Sequence, residues 1–277
     1  MAERTILITG CSSGIGRHAA LALRDRGWRV LATCRAAADC PALVAEGVES
    51  FPLDYQDPES VAAGFDEAMS RTGGRLDALF NNGAFAQPGA VEDLPVAALR
   101  AIFEANVFGW HDLTRRAIPV MRAQGHGRIV QNSSVLGFAA LRMRGAYNAT
   151  KFALEGLTDT LRLELRGGPV EVILIEPGPI ATRIRENSRA HYERWIDREG
   201  SHWADFYARV LEKRLYGDAP EGDMFELGCE AVTRKLVHAL ESRRPRARYY
   251  VTTPTYAMAF LKRVLPTRIL DSLLVRA

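Results

Sequence analysis

The sequence lacks the features that define several classes of protein. It contains four cysteines in 277 residues, with no CxxC pair and no nearby histidine at zinc-like spacing, so neither a disulfide framework nor a metal site is indicated. No apolar run approaches the ~18 residues that a membrane-spanning helix needs, and the apolar stretch near the N-terminus is too short for a signal peptide. We therefore expect a cytoplasmic protein in a reducing compartment.

The sequence also has little excess charge. Lys and Arg number 36 and Asp and Glu number 33, which gives a formal net charge of +3. This balance gives no general electrostatic case for a nucleic-acid partner. We find no internal repeat, low-complexity tract or linker, and 47% of the residues are hydrophobic. The chain therefore predicts a single globular domain over residues 1–277.

What the sequence does contain is a regular alternation of short β-branched runs and helical patterns. The predicted strands are 5–9, 29–33, 76–80, 128–131, 171–175 and 248–251. The predicted helices are 17–26, 57–70, 95–124, 147–166 and 230–242. Crossover helices between parallel strands must bury their apolar sides against the sheet. This order predicts an α/β fold, a Rossmann-like doubly wound parallel sheet of about seven strands with helices on both faces.

Two segments depart from this alternation. Residues 183–226 are polar, aromatic and irregular, which indicates an insertion that covers a site. The tail at 254–277 has apolar residues at helical spacing and several basic residues, and Pro266 is expected to divide it into two short helices. A lid or packing helix is the favoured interpretation of the tail, and contact with a membrane surface is the alternative.

A glycine-rich loop follows the first predicted strand directly. It reads TGCSSGIG and leads into a helix, so its backbone is expected to turn sharply and to hold a pyrophosphate at the helix N-terminus. No Lys-Ser/Thr follows, which disfavours a nucleoside triphosphatase, and the remaining alternative is a tight glycine turn without a ligand. The candidate cofactor contacts in the loop are Gly10, Ser12, Ser13, Gly14, Ile15 and Gly16.

The end of the second predicted strand carries an arginine where NAD-binding folds usually carry an acid. The stretch VLATCR offers Cys34 and then Arg35, with no carboxylate for the adenosine ribose. A guanidinium matches a 2′-phosphate in charge and in bidentate geometry, so the sequence predicts NADP(H) over NAD(H). The alternative for Arg35 is a solvated surface arginine, and Arg17 either assists or simply lies on the helix face.

A tyrosine and a lysine stand four residues apart in YNATK, at the start of a predicted helix. At this spacing the side chains of Tyr147 and Lys151 project from one face and can meet. An adjacent ammonium, together with an oxidised nicotinamide, would lower the pKa of the phenol from its usual value of about 10 and suit proton exchange with an alcohol or ketone. Ser134, at the end of the strand upstream, is positioned to hold a substrate carbonyl. A chance pair on a helix surface is the alternative.

Together these motifs resemble those of the short-chain dehydrogenase/reductase family. The likeness runs from TGCSSGIG through NNGA, Asn106 and Ser134 to YNATK and PGPIAT. Within the family, ATCR after the glycine loop and IEPGPIAT near the insertion look most like the branch of 17β-hydroxysteroid and retinol dehydrogenases. The resemblance implies that Tyr147 is the general acid/base and that Ser134 orients the substrate. It implies that Lys151 binds the nicotinamide ribose and lowers the tyrosine pKa. It also implies that Asn106 holds a water of the proton relay.

The resemblance extends to further cofactor contacts and to assembly. One motif departs from the family pattern, because the usual Asn-Asn-Ala-Gly run is Asn-Asn-Gly-Ala at residues 81–84. Both exchanged residues are small enough to allow close approach to a cofactor. The family often forms dimers or tetramers, so a homodimer or homotetramer is expected. The further contacts implied are Asp54, Asn82, Pro177, Gly178, Ile180 and Thr182.

The residues expected around the site are mainly apolar. A concave apolar wall suits a lipophilic alcohol or ketone, and the resemblance makes a steroid-like or retinoid-like substrate a hypothesis. The alternative for each of these residues is a position in the core. The candidates are Phe85, Val135, Leu136, Phe138, Leu141, Met143, Tyr192, Trp195, Trp203 and Phe206.

The sequence as a whole predicts an NADP(H)-dependent oxidoreductase. It would interconvert a secondary alcohol and a ketone or aldehyde by hydride transfer. A catalytically idle NADP(H)-binding sensor or scaffold is the rival interpretation, but such a protein has no need for an activated phenol beside the nicotinamide. A methyltransferase on a similar sheet gives no reason for the YxxxK pair.

Overall fold

A computed structural model of the protein describes residues 4–217 and 225–275, and a parallel sheet forms its centre. Across these two ranges seven strands pair in the order β3-β2-β1-β4-β5-β6-β7. The chain therefore runs outward from β1 in one direction and outward from β4 in the other. The strands are β1 Arg4–Ile8, β2 Trp28–Cys34, β3 Glu49–Pro52, β4 Ala78–Asn81, β5 Gly127–Asn132, β6 Val170–Pro177 and β7 Arg248–Val251.

Helices connect the strands and extend beyond the last one. Two π-helical stretches, Glu104–Phe108 and Tyr207–Leu211, lie between α-helical segments. The α-helices are α1 Gly14–Asp25, α2 Cys40–Ala45, α3 Pro58–Thr72, α4 Val96–Phe103, α5 Gly109–Ala123, α6 Gly145–Glu164, α7 Ile184–Trp195, α8 Ala204–Phe206, α9 Glu212–Tyr216, α10 Cys229–Glu241, α11 Thr253–Val264 and α12 Thr267–Leu274.

Both faces of the sheet are covered, as the sequence predicts. Within β1, Ile6 and Ile8 pack toward α1 and α10, whereas Leu7 packs toward α3, α5 and α6. This alternation follows from the two-residue period of a strand. All three side chains are completely buried. The predicted single-domain, Rossmann-like, doubly wound fold is confirmed.

The sequence-based elements differ from the structure at two places. Strand β3 is not among the strands named from the sequence, because its four residues include Glu49 and Pro52 and show little β-branched character. Proline is tolerated there since β3 is an edge strand of the sheet. The helix predicted over 95–124 is interrupted by the π-helical stretch Glu104–Phe108, where Asn106 lies.

The insertion predicted to be irregular is largely helical in its described part. Helix α7 packs beside the segment formed by α8, the second π-helical stretch and α9. Their aromatic and aliphatic residues form a small separate core that includes Tyr192 and Tyr207. The irregular structure expected for this segment was wrong, because polar residues on the outer faces of these short helices mask their apolar period. That the insertion covers a site stays a prediction. Residues 218–224 of the predicted insertion lie outside the described residues.

The C-terminal tail forms the helices α11 and α12, which are separated at Pro266. The final residues of the predicted tail, 276–277, lie outside the described residues. None of the helices within 4–217 and 225–275 is both long enough and apolar enough to cross a membrane.

Candidate active site

The candidate site lies where the strand order reverses, between β1 and β4. In an open parallel sheet the loops at the carboxyl ends of these strands diverge and leave a crevice that binds ligands. The glycine loop follows β1, and Asn82 follows β4. Ser134 follows β5, and Pro177 ends β6. The fold therefore brings motifs that are far apart in the sequence to one edge of the sheet.

The backbone of the glycine loop leaves no room for a side chain at two of its glycines. Gly10 has a φ of +68°, and a Cβ there would lie 2.5 Å from the Cα of Gly83. A Cβ on Gly16 would lie 2.3 Å from the carbonyl oxygen of Gly10. A larger residue at Gly10 would therefore clash with the loop after β4, and one at Gly16 would push the start of α1 away from the glycine loop.

The start of α1 fits the pyrophosphate of a dinucleotide. The N-cap residue Ser13 makes no side-chain capping bond to any described residue, and the first turn carries no acid. The backbone N–H groups of this turn can therefore bind an anion, and the helix dipole favours such a ligand. Gly14 begins the helix with a φ of +58°, Ser12 is exposed, and Ile15 packs against the core.

The exchange of alanine and glycine in the NNGA motif has a structural counterpart. Gly83 lies against Gly10, and a Cβ at position 83 would stand 3.3 Å from the Gly10 backbone. That distance is tight, so an alanine here would need a shift of a few tenths of an ångström, whereas glycine makes the contact without strain. Asn82 fixes the loop from the other side, because its amide donates to the carbonyl oxygen of Thr9 at 3.0 Å.

Arg35 and Arg17 occupy different environments. Arg35 is exposed at the carboxyl end of β2 and forms no ion pair with any residue of the described ranges. Arg17, by contrast, is paired with Glu46. Asp54 follows β3, where its backbone N–H donates to Ser60 and its carboxylate accepts from the N–H of Gln56. Of the two arginines, Arg35 is the one whose guanidinium is available for a phosphate.

Tyr147 and Lys151 project from the first turns of α6 toward the sheet. The Lys151 side chain is buried, and its Nζ donates to the carbonyl oxygen of Asn132 at 2.9 Å. The same Nζ lies 4.3 Å from the ring centroid of Trp110 and 5.6 Å from that of Tyr147. The ammonium group is thus held beside the phenol by one hydrogen bond and by the face of a buried indole.

Burial dominates the pKa values of this pair. It lowers the pKa of Lys151 to about 7, and the charge of Glu155 opposes this shift. Burial raises the pKa of Tyr147 to about 12, against a hydrogen bond with Ser134 and the charge of Arg144. The protein alone therefore favours the protonated phenol, and the lowering of its pKa by Lys151 stays a prediction that involves the oxidised cofactor.

Ser134 links the end of β5 to the end of β6. Its Oγ accepts from the N–H of Leu136 at 3.1 Å and caps the turn Val135–Gly137. The same hydroxyl lies 3.5 Å from the carbonyl oxygen of Pro177. Ser134 also forms a hydrogen bond with Tyr147, which opposes the rise in the pKa of the phenol. Ser134 therefore connects Tyr147 with the loop after β6.

Asn106 is buried in the first π-helical stretch, a rare geometry that is frequent at functional sites. Its side-chain oxygen accepts from the N–H of Phe85 at 3.1 Å, and its amide donates to the Phe85 carbonyl at 2.9 Å. A weaker bond of 3.3 Å reaches Thr150 on α6. Asn106 therefore fixes the loop after β4 against α6. Its role in holding a water remains a prediction.

The loop after β6 is supported by β7 and the start of α11. The N–H of Gly178 donates to the carbonyl oxygen of Val251 at 3.1 Å, and a Cβ on Gly178 would lie 2.2 Å from Oγ1 of Thr252. Thr252 itself has a φ of +75°, which is a strained conformation for a β-branched residue. Farther along, Ile180 packs against the core, and Thr182 lies beside Gly14.

Three buried residues that the sequence did not single out hold these loops together. The hydroxyl of Thr9 accepts from the backbone N–H groups of Asn82 and Gly83 at 3.0 and 3.2 Å. Asn132 donates to the side-chain oxygen of Asn82 at 2.8 Å, and Trp110 donates to the Gly83 carbonyl at 2.7 Å. They join β1, β4, β5 and α5, and no local sequence signal predicts such a network.

The apolar wall is only partly as expected. Phe85 packs with Tyr147 in one apolar cluster, which agrees with a place beside the site. Tyr192 is completely buried in the core of the insertion, so it is a structural residue and not part of a substrate wall. Trp203 and Phe206 pack on that same core, and Met143 is a member of it.

His191 on α7 is a site residue that the sequence did not reveal. Its ring stacks on Phe85 with centroids 3.8 Å apart and an angle of 8° between the planes. Burial lowers the pKa of His191, and the charges of Arg35 and Arg194 add to this effect. The imidazole is therefore neutral at pH near 7 and presents an apolar face.

A buried charge cluster lies directly behind Lys151. The guanidinium of Arg248 on β7 contacts Glu155 and Glu176 at 2.5 Å and Asp159 at 2.6 Å. Glu176 is completely buried, and one oxygen of Glu176 and one of Glu155 have no partner among the described residues. Three carboxylates around one guanidinium leave excess negative charge, so one carboxyl group is favoured in its protonated form.

Stability should depend on pH through Glu176. Burial raises its pKa to about 8 from an ordinary value of 4.5, with Glu155 adding to the shift and Arg248 opposing it. The folded chain therefore binds this proton more tightly, and its stability falls as pH rises from about 4.5 to about 8. Glutamine does not titrate, so the free energy of unfolding of Glu176→Gln should increase relative to that of the wild type as pH rises across this window. The slope of this difference is up to about 1.4 kcal/mol per pH unit.

Urea unfolding at several pH values in this window measures the effect. Glu171→Gln changes an exposed carboxyl group on the same strand and serves as the matched control. Parallel pH profiles for Glu176→Gln and the wild type would show that Glu176 does not titrate in this range.

A glycine loop at the switch point of a parallel sheet, with a serine, a tyrosine and a lysine converging beside it, defines an oxidoreductase that binds a nicotinamide cofactor. The family model described as short chain dehydrogenase matches residues 4–193. The chain belongs to the short-chain dehydrogenase/reductase family, as the resemblance predicted.

Its relatives share nearly the whole chain. It is 40% identical over 273 residues to the uncharacterized oxidoreductase YbbO of Escherichia coli (strain K12), covering 98% of this chain and 94% of that protein. It is 32% identical to 17-beta-hydroxysteroid dehydrogenase type 1 of Homo sapiens, with coverage of 91% and 78%. A short-chain dehydrogenase structure from Streptomyces avermitilis matches with a TM-score of 0.78 at 28% identity, covering 95% of this chain and 94% of that one.

Proposed function

We propose that this oxidoreductase interconverts a secondary alcohol and a ketone or aldehyde with NADP(H). The observation that carries the proposal is the convergence of Tyr147, Ser134 and Lys151 at the carboxyl ends of β5 and β6, beside the glycine loop. A protonated phenol next to a buried ammonium is suited to exchange a proton with a substrate oxygen. The nicotinamide, when bound, supplies or accepts the hydride.

Each of the three residues has a distinct task in the proposal. The phenol of Tyr147 donates its proton to the carbonyl oxygen during reduction and accepts it back during oxidation. The hydroxyl of Ser134 donates a hydrogen bond to the same oxygen and orients it toward the phenol. Lys151 places positive charge where the phenolate forms, and this stabilises the negative oxygen in a site of low dielectric.

The cofactor is held by the backbone more than by side chains. The N-terminus of α1 and the glycine loop would hold the pyrophosphate, and Asn82 would lie beside the nucleotide. The residues from Pro177 to Thr182 would flank the nicotinamide, and Asp54 would lie near the adenine. Lys151 would also bind the nicotinamide ribose.

The preference for NADP(H) rests on Arg35. Its guanidinium is exposed at the carboxyl end of β2 and forms no ion pair within the described ranges. That strand end is where open α/β folds bind the adenosine ribose. A 2′-phosphate there would gain a charge-assisted, bidentate partner.

We infer a lipophilic substrate of steroid-like or retinoid-like character. Phe85, His191 and the turn Val135–Gly137 provide apolar surface around the phenol. The name of the human relative, a 17-beta-hydroxysteroid dehydrogenase, supports the steroid class.

An absorbance assay of NADPH oxidation tests the proposal on a panel of steroid ketones, retinal, medium-chain ketones and sugar ketones. Turnover of the apolar members that disappears in Tyr147→Phe would support both the mechanism and the substrate class. Turnover of only the sugar ketones would reject the lipophilic class. Tight NADPH binding without turnover of any member would favour a cofactor-binding sensor.

The stacked His191 ring is expected to contribute to substrate binding and not to chemistry. His191→Ala removes the ring that covers Phe85, so we expect the KM for an apolar substrate to rise roughly threefold to tenfold, with kcat within about twofold. Steady-state kinetics at saturating NADPH measure both values. His202→Ala, an exposed histidine of the same insertion, is the matched control. A large fall in kcat with an unchanged KM would assign His191 to catalysis instead.

A further inference from the structure

An open groove of about 550 Å³ lies at the outer edge of the sheet, along β7. Helix α10 forms one side of it, and the start of α11 forms the other. Arg234, Lys235 and Arg246 line the groove together with Tyr250 and Tyr256, and none of its described lining residues is acidic. The groove lies outside the set of residues proposed for catalysis.

Positive charge extends from the groove onto its surroundings. Arg243 and Arg244 are exposed in the loop between α10 and β7, and Arg263 and Arg268 are exposed on the tail. Together with the three cations of the groove they make seven basic residues, and none of the seven forms an ion pair with a residue in 4–217 or 225–275. The net charge of the chain is only +3, so this edge carries a strong local excess.

The tail next to the groove exposes large apolar side chains. Tyr256, Phe260 and Val264 follow one another at four-residue spacing along α11 and are 50%, 64% and 53% exposed. Ile269 and Leu273 continue this pattern on α12 and are 51% and 47% exposed. Helix α12 has no buried residue in the described chain. A tail that served only as a packing helix would bury these side chains.

We propose that these seven basic residues and the exposed apolar side chains of α11 and α12 form a docking surface for a membrane that contains anionic lipids. Apolar side chains beside unpaired cations match the boundary between acyl chains and negative headgroups. A second copy of the chain fits less well. In a two-fold dimer the same patch meets itself, so the groove cations would face one another.

The docking surface is continuous with the turn that follows Ser134. The rings of Tyr256 and Tyr250 have centroids 5.5 Å apart, and those of Tyr250 and Phe138 are 5.9 Å apart. Lys262 on α11 donates to the carbonyl oxygen of Phe138. A membrane bound at this surface would therefore lie beside the turn that follows Ser134. The docking itself does not rest on the proposed function, but delivery of a lipophilic substrate from the bilayer does.

Co-sedimentation of the full chain with vesicles tests the proposal. Vesicles of phosphatidylcholine alone are compared with vesicles that also contain phosphatidylglycerol, at low and at high salt. We expect binding to the anionic vesicles, loss of that binding in high salt, and little binding to neutral vesicles. Arg243→Glu/Arg244→Glu and Phe260→Ser/Ile269→Ser should each weaken binding to anionic vesicles at least tenfold.

Matched double variants control for charge and for exposed apolar area. Arg100→Glu/Arg166→Glu makes the same charge change at exposed sites elsewhere, and Val44→Ser/Val96→Ser removes apolar side chains that are 55% and 60% exposed. Both should bind within about twofold of the wild type. Retained NADPH binding by each variant shows that it is folded.

Three results would overturn the proposal. The first is no binding to anionic vesicles, and the second is an equal loss of binding in the control variants. The third is a smaller mass of Arg243→Glu/Arg244→Glu in size-exclusion chromatography with light scattering, which would assign the surface to a second copy of the chain. Absence of NADPH turnover would reject the proposed function without affecting the vesicle result.

Discussion

Tyr147→Phe should lower kcat by about a thousandfold or more while the affinity for NADPH stays within about twofold of the wild type. The substitution removes one hydroxyl and keeps the ring that packs with Phe85. Proton transfer to the substrate oxygen then has no donor, because the Ser134 hydroxyl is too weak an acid to replace the phenol. Steady-state kinetics and a fluorescence titration with NADPH measure the two quantities.

Tyr250→Phe is the matched control for this variant. It also removes a tyrosine hydroxyl near the Ser134 turn, but its ring contacts Phe138 and not the proposed substrate oxygen. We expect its kcat to stay within about threefold of the wild type. Retained turnover in Tyr147→Phe would reject the assigned mechanism. An equal loss in both variants would mean that the kinetics report on packing and not on proton transfer.

Arg35→Asp should reverse the preference between cofactors, with the ratio of kcat/KM for NADPH to that for NADH falling about a hundredfold or more. Two effects add in the same direction. The 2′-phosphate loses a charge-assisted partner and meets a carboxylate, whereas the free ribose of NADH gains a hydrogen-bond acceptor. Initial rates with each cofactor, at saturating second substrate, give the ratio.

Arg17 offers a control at a second basic residue that the sequence placed near the cofactor. It lies on the first turn of α1 and pairs with Glu46, so Arg17→Ala should change the ratio by less than about threefold. The NADPH-to-NADH ratio of kcat/KM for Arg35→Ala should fall between the ratios for the wild type and for Arg35→Asp. An unchanged ratio in Arg35→Asp would show that the 2′-phosphate is recognised by other residues.

The sequence predicts the local motifs of the site because their geometry depends only on residues that are near one another in the chain. The spacing of Tyr147 and Lys151 puts both on one face of a helix, whatever packs against it. The glycine loop follows a strand and begins a helix, so its place at the end of β1 follows from chain order. The doubly wound sheet follows in the same way from the alternation of strands and helices.

The remaining features depend on contacts between distant segments, and the sequence could not reveal them. His191 meets Phe85 only because the insertion folds back as α7, and the period of that helix is masked by polar residues. Trp110 lies under Lys151 because α5 and α6 are neighbours in the structure. Strand β3 is defined by its pairing with β2 and not by its own composition.

The chain is synthesised from its N-terminus, and this order determines when the loop after β6 can fold. The glycine loop and Asn82 emerge early, but Gly178 bonds to Val251 at the end of β7 and is covered by Thr252, so its partners emerge later. A nascent chain that already contains Tyr147 and Lys151 but not yet β7 thus has no support for the loop after β6. We expect the loop after β6 to reach its folded conformation only after β7 has left the ribosome.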